Sequence, residues 1–121
     1  MKFKKWSIWR ANLDPVIGSE QGKSRPVLII SEDDINELLN IVNIIPLTSR
    51  KPERMVYPNE TLLPEGKFGL EKESLALCHQ IRTIDKRRLL KKYGQISDKN
   101  TRNKIIEAIC FQLGIGYDQS T

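Results

Sequence analysis

Residues 18–30, GSEQGKSRPVLII, press a run of hydrogen-bonding side chains directly against an apolar stretch, and the fold turns on how that junction is read. The apolar run from Val27 to Ile30 has the length of a strand covered on both faces and is too short for a helix. Pro26 stands at its beginning, where a missing N–H is tolerated, and it restricts Arg25 to extended geometry. Upstream, Gly18 and Gly22 permit tight turns, so the loop from Gly18 to Ser24 can offer side chains and backbone N–H groups to a ligand. Arg25 then rides on a rigid element beside a polar loop, a geometry suited to gripping a phosphate through two N–H groups at once. A solvent-exposed hairpin with an ordinary surface arginine would leave the same local pattern.

The sequence around this junction has the punctuation of a β protein. KWSIWRANL (5–13) alternates, NIVNIIPLT (40–48) is β-branched, and ESLALCHQIRTI (73–84) alternates again. Trp6 and Trp9 would point to opposite faces of the first strand, which places at least one in the core. Pro58 in RMVYPNETLL (54–63) makes that run an edge strand or a bent segment. DDINELLN (33–40) suits a single helical turn, and DKRRLLKKYG (85–94) suits a short helix burying Leu89, Leu90 and Tyr93 with its cations in water. The last third changes period. SDKNTRNKIIEAICFQLG (97–114) sets Ile106, Ile109, Cys110 and Leu113 on one face, opens at a Ser97/Asp98 cap and stops at Gly114. The expected class is mainly β with accessory helices, a small closed β-barrel carrying a C-terminal amphipathic helix.

At 121 residues the chain is expected to form a single domain over 1–121. Twenty Lys and Arg against fifteen Asp and Glu give a net charge of +5, which favours a polyanionic partner. No apolar run reaches the roughly 18 residues of a spanning helix, and the start lacks a secretory apolar region, so a cytoplasmic protein with no membrane role is expected. Cys78 and Cys110 lack CxxC spacing and read as small buried hydrophobes rather than as a disulfide or a zinc site.

LDPVIGSEQGKSRPVLIIS (13–31), then IVNIIPLTS (41–49), GLEKESLALCHQIRTIDKRRL (69–89) and the closing helix together resemble the MazF/PemK-like toxins, ribosome-independent mRNA endoribonucleases. The resemblance runs from about Ile8 to Leu113. It implies an SH3-like barrel of the MazF/CcdB kind that pairs as a homodimer and cleaves single-stranded RNA with no metal and no cofactor. It also implies an acidic antitoxin partner, with contact to DNA only through the antitoxin complex. By motif, Arg25 and Thr48 match the family's catalytic centre. Gly18, Ser19, Glu20 and Gln21 match the loop lining the RNA groove, joined there by Ser49, and Gln80 and Arg82 match a strand ending near it. The chain departs from the family at Trp6-Ser7, where a Gly-Asp pair is usual, and at His79, where several relatives carry an acid.

Metal-free RNA cleavage needs a base for the ribose 2′-OH, a stabiliser of phosphorane charge and an acid for the departing 5′-oxygen. Arg25 fits the second role, because an arginine is a poor base and a permanent multi-point donor. Thr48 can add one neutral hydrogen bond. Glu20 and His79 are the candidates for proton transfer, each with a bland alternative as a solvated charge or a structural imidazole. Alternation alone would set His79 and Gln80 on opposite faces, unless a bulge intervenes. Two other readings of the same barrel remain open at the level of sequence: a non-catalytic RNA-binding module, and a protein-directed toxin resembling the CcdB-type gyrase poisons.

Overall fold

Val27, Leu28 and Ile29 are all inaccessible to solvent, so β2 (Ser24–Ile29) is covered on both faces, as its unbroken apolar run requires. The protein is seen here in a computed structural model that describes residues 2–116. On one side β2 pairs with β1 (Ser7–Asn12), and on the other with β3 (Ile41–Ser49), both antiparallel. The outer edge of β1 takes β7 (Leu89–Gln95), and the far edge of β3 takes β5 (Ser74–Leu77) and β6 (Arg82–Asp85) in succession. β4 (Glu60–Leu63) pairs with β5 and forms one end of the sheet, with β7 at the other.

The mainly β class with a C-terminal helix is therefore what the structure shows, but the sheet is not closed into a barrel: no ladder joins β4 to β7. Chain segments pack across the seam instead. Gly69, at φ +83°, lies against the carbonyl of Tyr93, and Gly94 lies against that of Phe68. A Cβ on either glycine would collide with backbone, so this approach requires glycine on both sides.

Each face of the sheet carries its own cluster. Ile8, Leu28, Ile45, Leu47 and Ala76 gather on one face with Ile105 and Ala108 of the terminal helix, and Trp9, Val27, Ile29, Ile44 and Ile84 gather on the other. Trp6 and Trp9 are both core, one in each cluster. Trp6 holds φ +74°, a left-handed conformation that favours glycine, and its ring is flanked by the Lys5 ammonium at 5.5 Å and the Arg102 guanidinium at 5.3 Å.

Three sequence expectations are corrected. DKRRLLKKYG is a 3-10 turn at Lys86–Arg88 followed by β7, because the open edge of β1 supplies pairing that overrides local helix propensity. ESLALCHQIRTI is two strands separated by a 3-10 turn at Cys78–Gln80. The terminal helix α2 (Lys99–Leu113) begins at an Asp98 cap, whose carboxylate accepts the Thr101 N–H at 2.9 Å, and ends at a left-handed Gly114, as read. Its buried face, however, is Ile105 and Ala108, with Ile106 and Ile109 half-buried and Leu113 52 % exposed. The Thr61 hydroxyl donating to the Lys104 carbonyl at 3.3 Å brings that side of α2 onto β4 and leaves Leu113 beyond it. The single turn expected at 33–40 is the short α1 (Asp33–Leu38), and Pro58 precedes edge strand β4.

Candidate functional site

The β2–β3 ladder ends at Val27 opposite Pro46, and β3 then runs on against β5, with Thr48 facing Leu75. Arg25 and Thr48 each lie two residues past that last pair, on the two arms of the fork where the strands part. Arg25 is half-buried and its Nε donates to the Gly22 carbonyl at 2.8 Å. Its terminal nitrogens make no hydrogen bond or ion pair among the described residues, so a fixed guanidinium presents two unused N–H edges.

The loop above it is built from the inside. Leu13 N–H donates to the Lys23 carbonyl at 2.9 Å and Lys23 N–H to Asp14 Oδ1 at 2.8 Å, which closes the loop's base. Glu20 Oε1 accepts the Ile17 N–H at 2.6 Å, closing a turn within it. Gly22 packs against Asp14 and Val16 so tightly that a side chain would clash with both. The expectation of free backbone donors is thus met only in part, since the N–H groups of Ile17, Gln21 and Lys23 are all spent within the fold.

Gln21 donates its N–H to Gln80 Oε1 at 3.3 Å, and Gln80 Nε2 donates to the Ser19 carbonyl at 3.3 Å. Gln80 can reach the loop because of an insertion. Ile44 faces Arg82 and Leu47 faces Ala76, so residues 45–46 of β3 stand against residues 77–81, three more than a regular ladder holds. The surplus forms the 3-10 turn, which breaks the alternation and leaves His79 exposed and Gln80 turned to the loop. The parity conflict between His79 and Gln80 is removed in this way. Ser49 is exposed at the end of β3. Arg82 is half-buried on β6, with its Nη1 enclosed and without a hydrogen-bond partner.

Behind the turn lies a clamp that no local sequence signal announces. Glu60, its side chain only 1 % exposed, receives both terminal nitrogens of Arg54 at 2.8 Å and the Tyr57 N–H at 3.1 Å. Arg54 foremost, with Tyr57 N–H and His79 adding smaller shares against the cost of burial, holds the Glu60 carboxyl below its ordinary range. The Asn59 carbonyl accepts the Cys78 N–H at 3.1 Å, which ties the segment before β4 to the 3-10 turn. Burial pushes the Cys78 thiol up to about 12, which keeps it protonated and removes it as a nucleophile. Among the described residues, no three His, Cys, Asp or Glu side chains gather where they could hold a metal ion, and no helix is long and apolar enough to cross a membrane.

Comparison with known proteins gives this arrangement a family. Residues 4–113 match the PemK-like, MazF-like toxins of type II toxin-antitoxin systems. Endoribonuclease MazF of Staphylococcus saprophyticus is 37 % identical over 113 residues, covering 93 % of this chain and 92 % of the relative. A crystal structure of MazF from Deinococcus radiodurans aligns with a TM-score of 0.78 at 25 % identity, over 93 % of this chain and 96 % of that one. A mycobacterial endoribonuclease in complex with its cognate antitoxin aligns at 0.75 and 22 % identity, over 95 % and 98 %. With nearly its whole described length matched in sequence and in fold, the chain belongs to the PemK-like, MazF-like toxin family.

Proposed function

We propose that the protein is a toxin-type endoribonuclease that cleaves single-stranded RNA at the fork between β2 and β3, and that a cognate antitoxin restrains it. The observation that carries this reading is Arg25: a guanidinium fixed through Nε by Gly22, with its terminal nitrogens unused, at the mouth of a polar loop clasped by Gln80. Relatives named as endoribonucleases support the activity.

In this reading the ribose 2′-oxygen attacks the adjacent phosphorus, the new O–P bond closes a 2′,3′-cyclic phosphate, and the bond to the 5′-oxygen breaks. Arg25 donates to the phosphorane oxygens as charge develops, and the Thr48 hydroxyl adds one hydrogen bond. A base takes the 2′-OH proton and an acid returns a proton to the 5′-oxygen. His79, exposed beside Gln80, and Glu20, with one carboxylate oxygen committed to Ile17, are the two candidates for those roles. Gly18, Ser19, Gln21, Ser49, Gln80 and Arg82 would line the groove. No step calls for a metal ion.

The same groove suits the acidic antitoxin, since a chain of net charge +5 attracts such a segment, and a relative's structure holds its cognate antitoxin. A homodimer belongs to the reading. Ile35, Leu38, Leu39 and Ile41, close together in sequence, are all exposed and would suit burial against a second copy.

The test is cleavage of a labelled long RNA in excess EDTA, followed by mapping of the ends. Ends with 2′,3′-cyclic phosphate and 5′-OH are expected. Cleavage lost in EDTA, or 3′-OH with 5′-phosphate ends, would overturn the mechanism, and RNA bound but never cut would favour the non-catalytic module.

A further inference from the structure

The seam where the sheet fails to close carries cations that nothing else in the fold explains. Arg10 on β1 faces Pro26 on β2 and Lys91 on β7, so three strands contribute one row. That row lies on the face whose neighbouring members, Ile8 and Leu28, belong to the core. Past the end of the core the same face opens into a pocket of about 450 Å³, with Pro26, Leu70 and Tyr93 among its walls and Ser49, Lys72 and Lys91 on its polar side. Glu71 is the one acid among its lining residues.

Arg10 and Lys91 stand directly opposite in an antiparallel ladder, where like charges are destabilising. Neither they nor Lys72 has an ion pair or side-chain hydrogen bond among the described residues. Arg87 and Arg88 nearby differ, being engaged with Asp85 and with the carbonyls of Asn12 and Asp14. The β1–β7 register also slips twice, at Leu90 and at Tyr93, on either side of the two lysines. Such bulges re-aim side chains, and Tyr93 is thereby turned into the pocket wall. Pro26 and Ser49 are the chain neighbours of Arg25 and Thr48, so the pocket opens at the end of the sheet where the fork lies, on the face opposite the one that alternation gives Arg25 and Thr48.

We propose that this pocket binds a nucleotide flanking the scissile phosphate, with its base or ribose against Pro26, Leu70 and Tyr93 and its phosphate held by Lys91, Lys72 and Arg10. An aromatic wall beside unpaired cations is the combination that single-stranded nucleic acid requires, stacking along with charge. The inference rests on the RNA-cleaving reading and deepens it: the substrate is gripped at two phosphates, so a dinucleotide is a poor substrate.

The test measures binding of a labelled oligoribonucleotide made uncleavable by a single 2′-deoxy sugar at the cut position, across a series of salt concentrations. Lys91→Ala, an exposed position, is expected to weaken binding several-fold and to reduce the slope of log K against log salt by about 0.7, one single-strand phosphate contact. Trimming the oligonucleotide back to the cut position on one side should cost the wild type a similar factor and cost Lys91→Ala much less. Tyr93→Leu, with its fold confirmed by thermal melting, should bind about 5- to 100-fold more weakly through lost stacking. If the wild type cleaves RNA while Lys91→Ala and Lys72→Ala match its affinity and slope, the pocket is not a nucleotide site and the cleavage reading survives. If the wild type neither binds nor cleaves RNA, both fall. If the lysine variants lose affinity only for an acidic antitoxin-derived peptide, the pocket is a protein-docking site and the nucleotide assignment is overturned.

Discussion

Gln80 holds Gln21 from a strand break distant in sequence, accepting its N–H at 3.3 Å and returning a hydrogen bond to the Ser19 carbonyl at 3.3 Å. That clasp links the two halves of the candidate site, the glycine-bounded loop and the 3-10 turn, and among the described residues no other hydrogen bond joins the loop's tip to the turn. In Gln80→Leu, which keeps the side chain's bulk, the melting temperature should stay close to wild type. Two part-exposed hydrogen bonds contribute only about 1–2 kcal/mol together. The loop should loosen: amide exchange at Gln21 should accelerate, and KM for RNA should rise more than kcat falls. Unchanged exchange at Gln21 would show that the loop is held by its own base.

Arg25→Ala and Thr48→Ala should remain folded, because both residues lie beyond the last β2–β3 pair and neither belongs to a core cluster. Arg25→Ala should lose at least about 10²-fold in cleavage rate, the cost of removing one preorganised donor to a developing anion, and Thr48→Ala should lose less. Arg25→Lys should restore little, since an ammonium cannot reproduce the fork that Gly22 orients. Circular dichroism and single-turnover rates check this. A variant that unfolds before assay would mark that residue as structural.

Much of the fold was legible in the sequence because its signals are local. Pro26 before Val27–Ile30 marks a strand, and Asp98 and Gly114 mark the two ends of a helix. The illegible parts depend on partners distant in the chain. Leu89–Gln95 has helical character by itself and becomes a strand only because β1 offers an edge. The surplus of three residues opposite Ile45 and Pro46 cannot be seen until the register on both sides is known. Arg25 and Thr48 stand as candidates on their motifs alone, whereas the clasp by Gln80 and the Arg54–Glu60 clamp required the fold. Tyr93 and Lys91 were hidden by the helical reading of their segment.

The clamp makes a prediction about acid stability. Arg54 and Tyr57 hold the folded Glu60 carboxyl below its ordinary value of 4.5. Its contribution is therefore fully present above that value and is lost as pH falls through the folded value, where the unfolded chain binds the proton more readily. Wild type should lose stability on acidification below about pH 4.5 more steeply than Glu60→Gln, and the two should differ most at neutral pH. Removing the carboxylate leaves Arg54 part-exposed and able to rehydrate, so the cost at pH 7 should be about 1–3 kcal/mol. Parallel denaturation curves at pH 3 and pH 7 test it. A constant difference between the two proteins would mean that Glu60 acts through packing and not through its charge.

His79 is the site's remaining open role, and its placement gives a direct test. The 3-10 turn lifts it out of the sheet, so it is exposed beside the residue that clasps the loop at Ser19 and Gln21 and is not confined to the core face that alternation would assign. Proton transfer by His79 should appear as a limb of the pH–rate profile. If His79 is the base, single-turnover cleavage should fall on the acid side as the ring takes a proton. If it is the acid, cleavage should fall on the alkaline side. In His79→Gln that limb should vanish and the rate at its best pH should fall by about 10²-fold or more. Glu20→Gln supplies the control, because it removes the other candidate for proton transfer and should leave the limb that depends on His79 intact. A His79→Gln enzyme with an unchanged rate and profile would remove His79 from proton transfer and leave Glu20, beside Arg25 and Thr48, to supply the base.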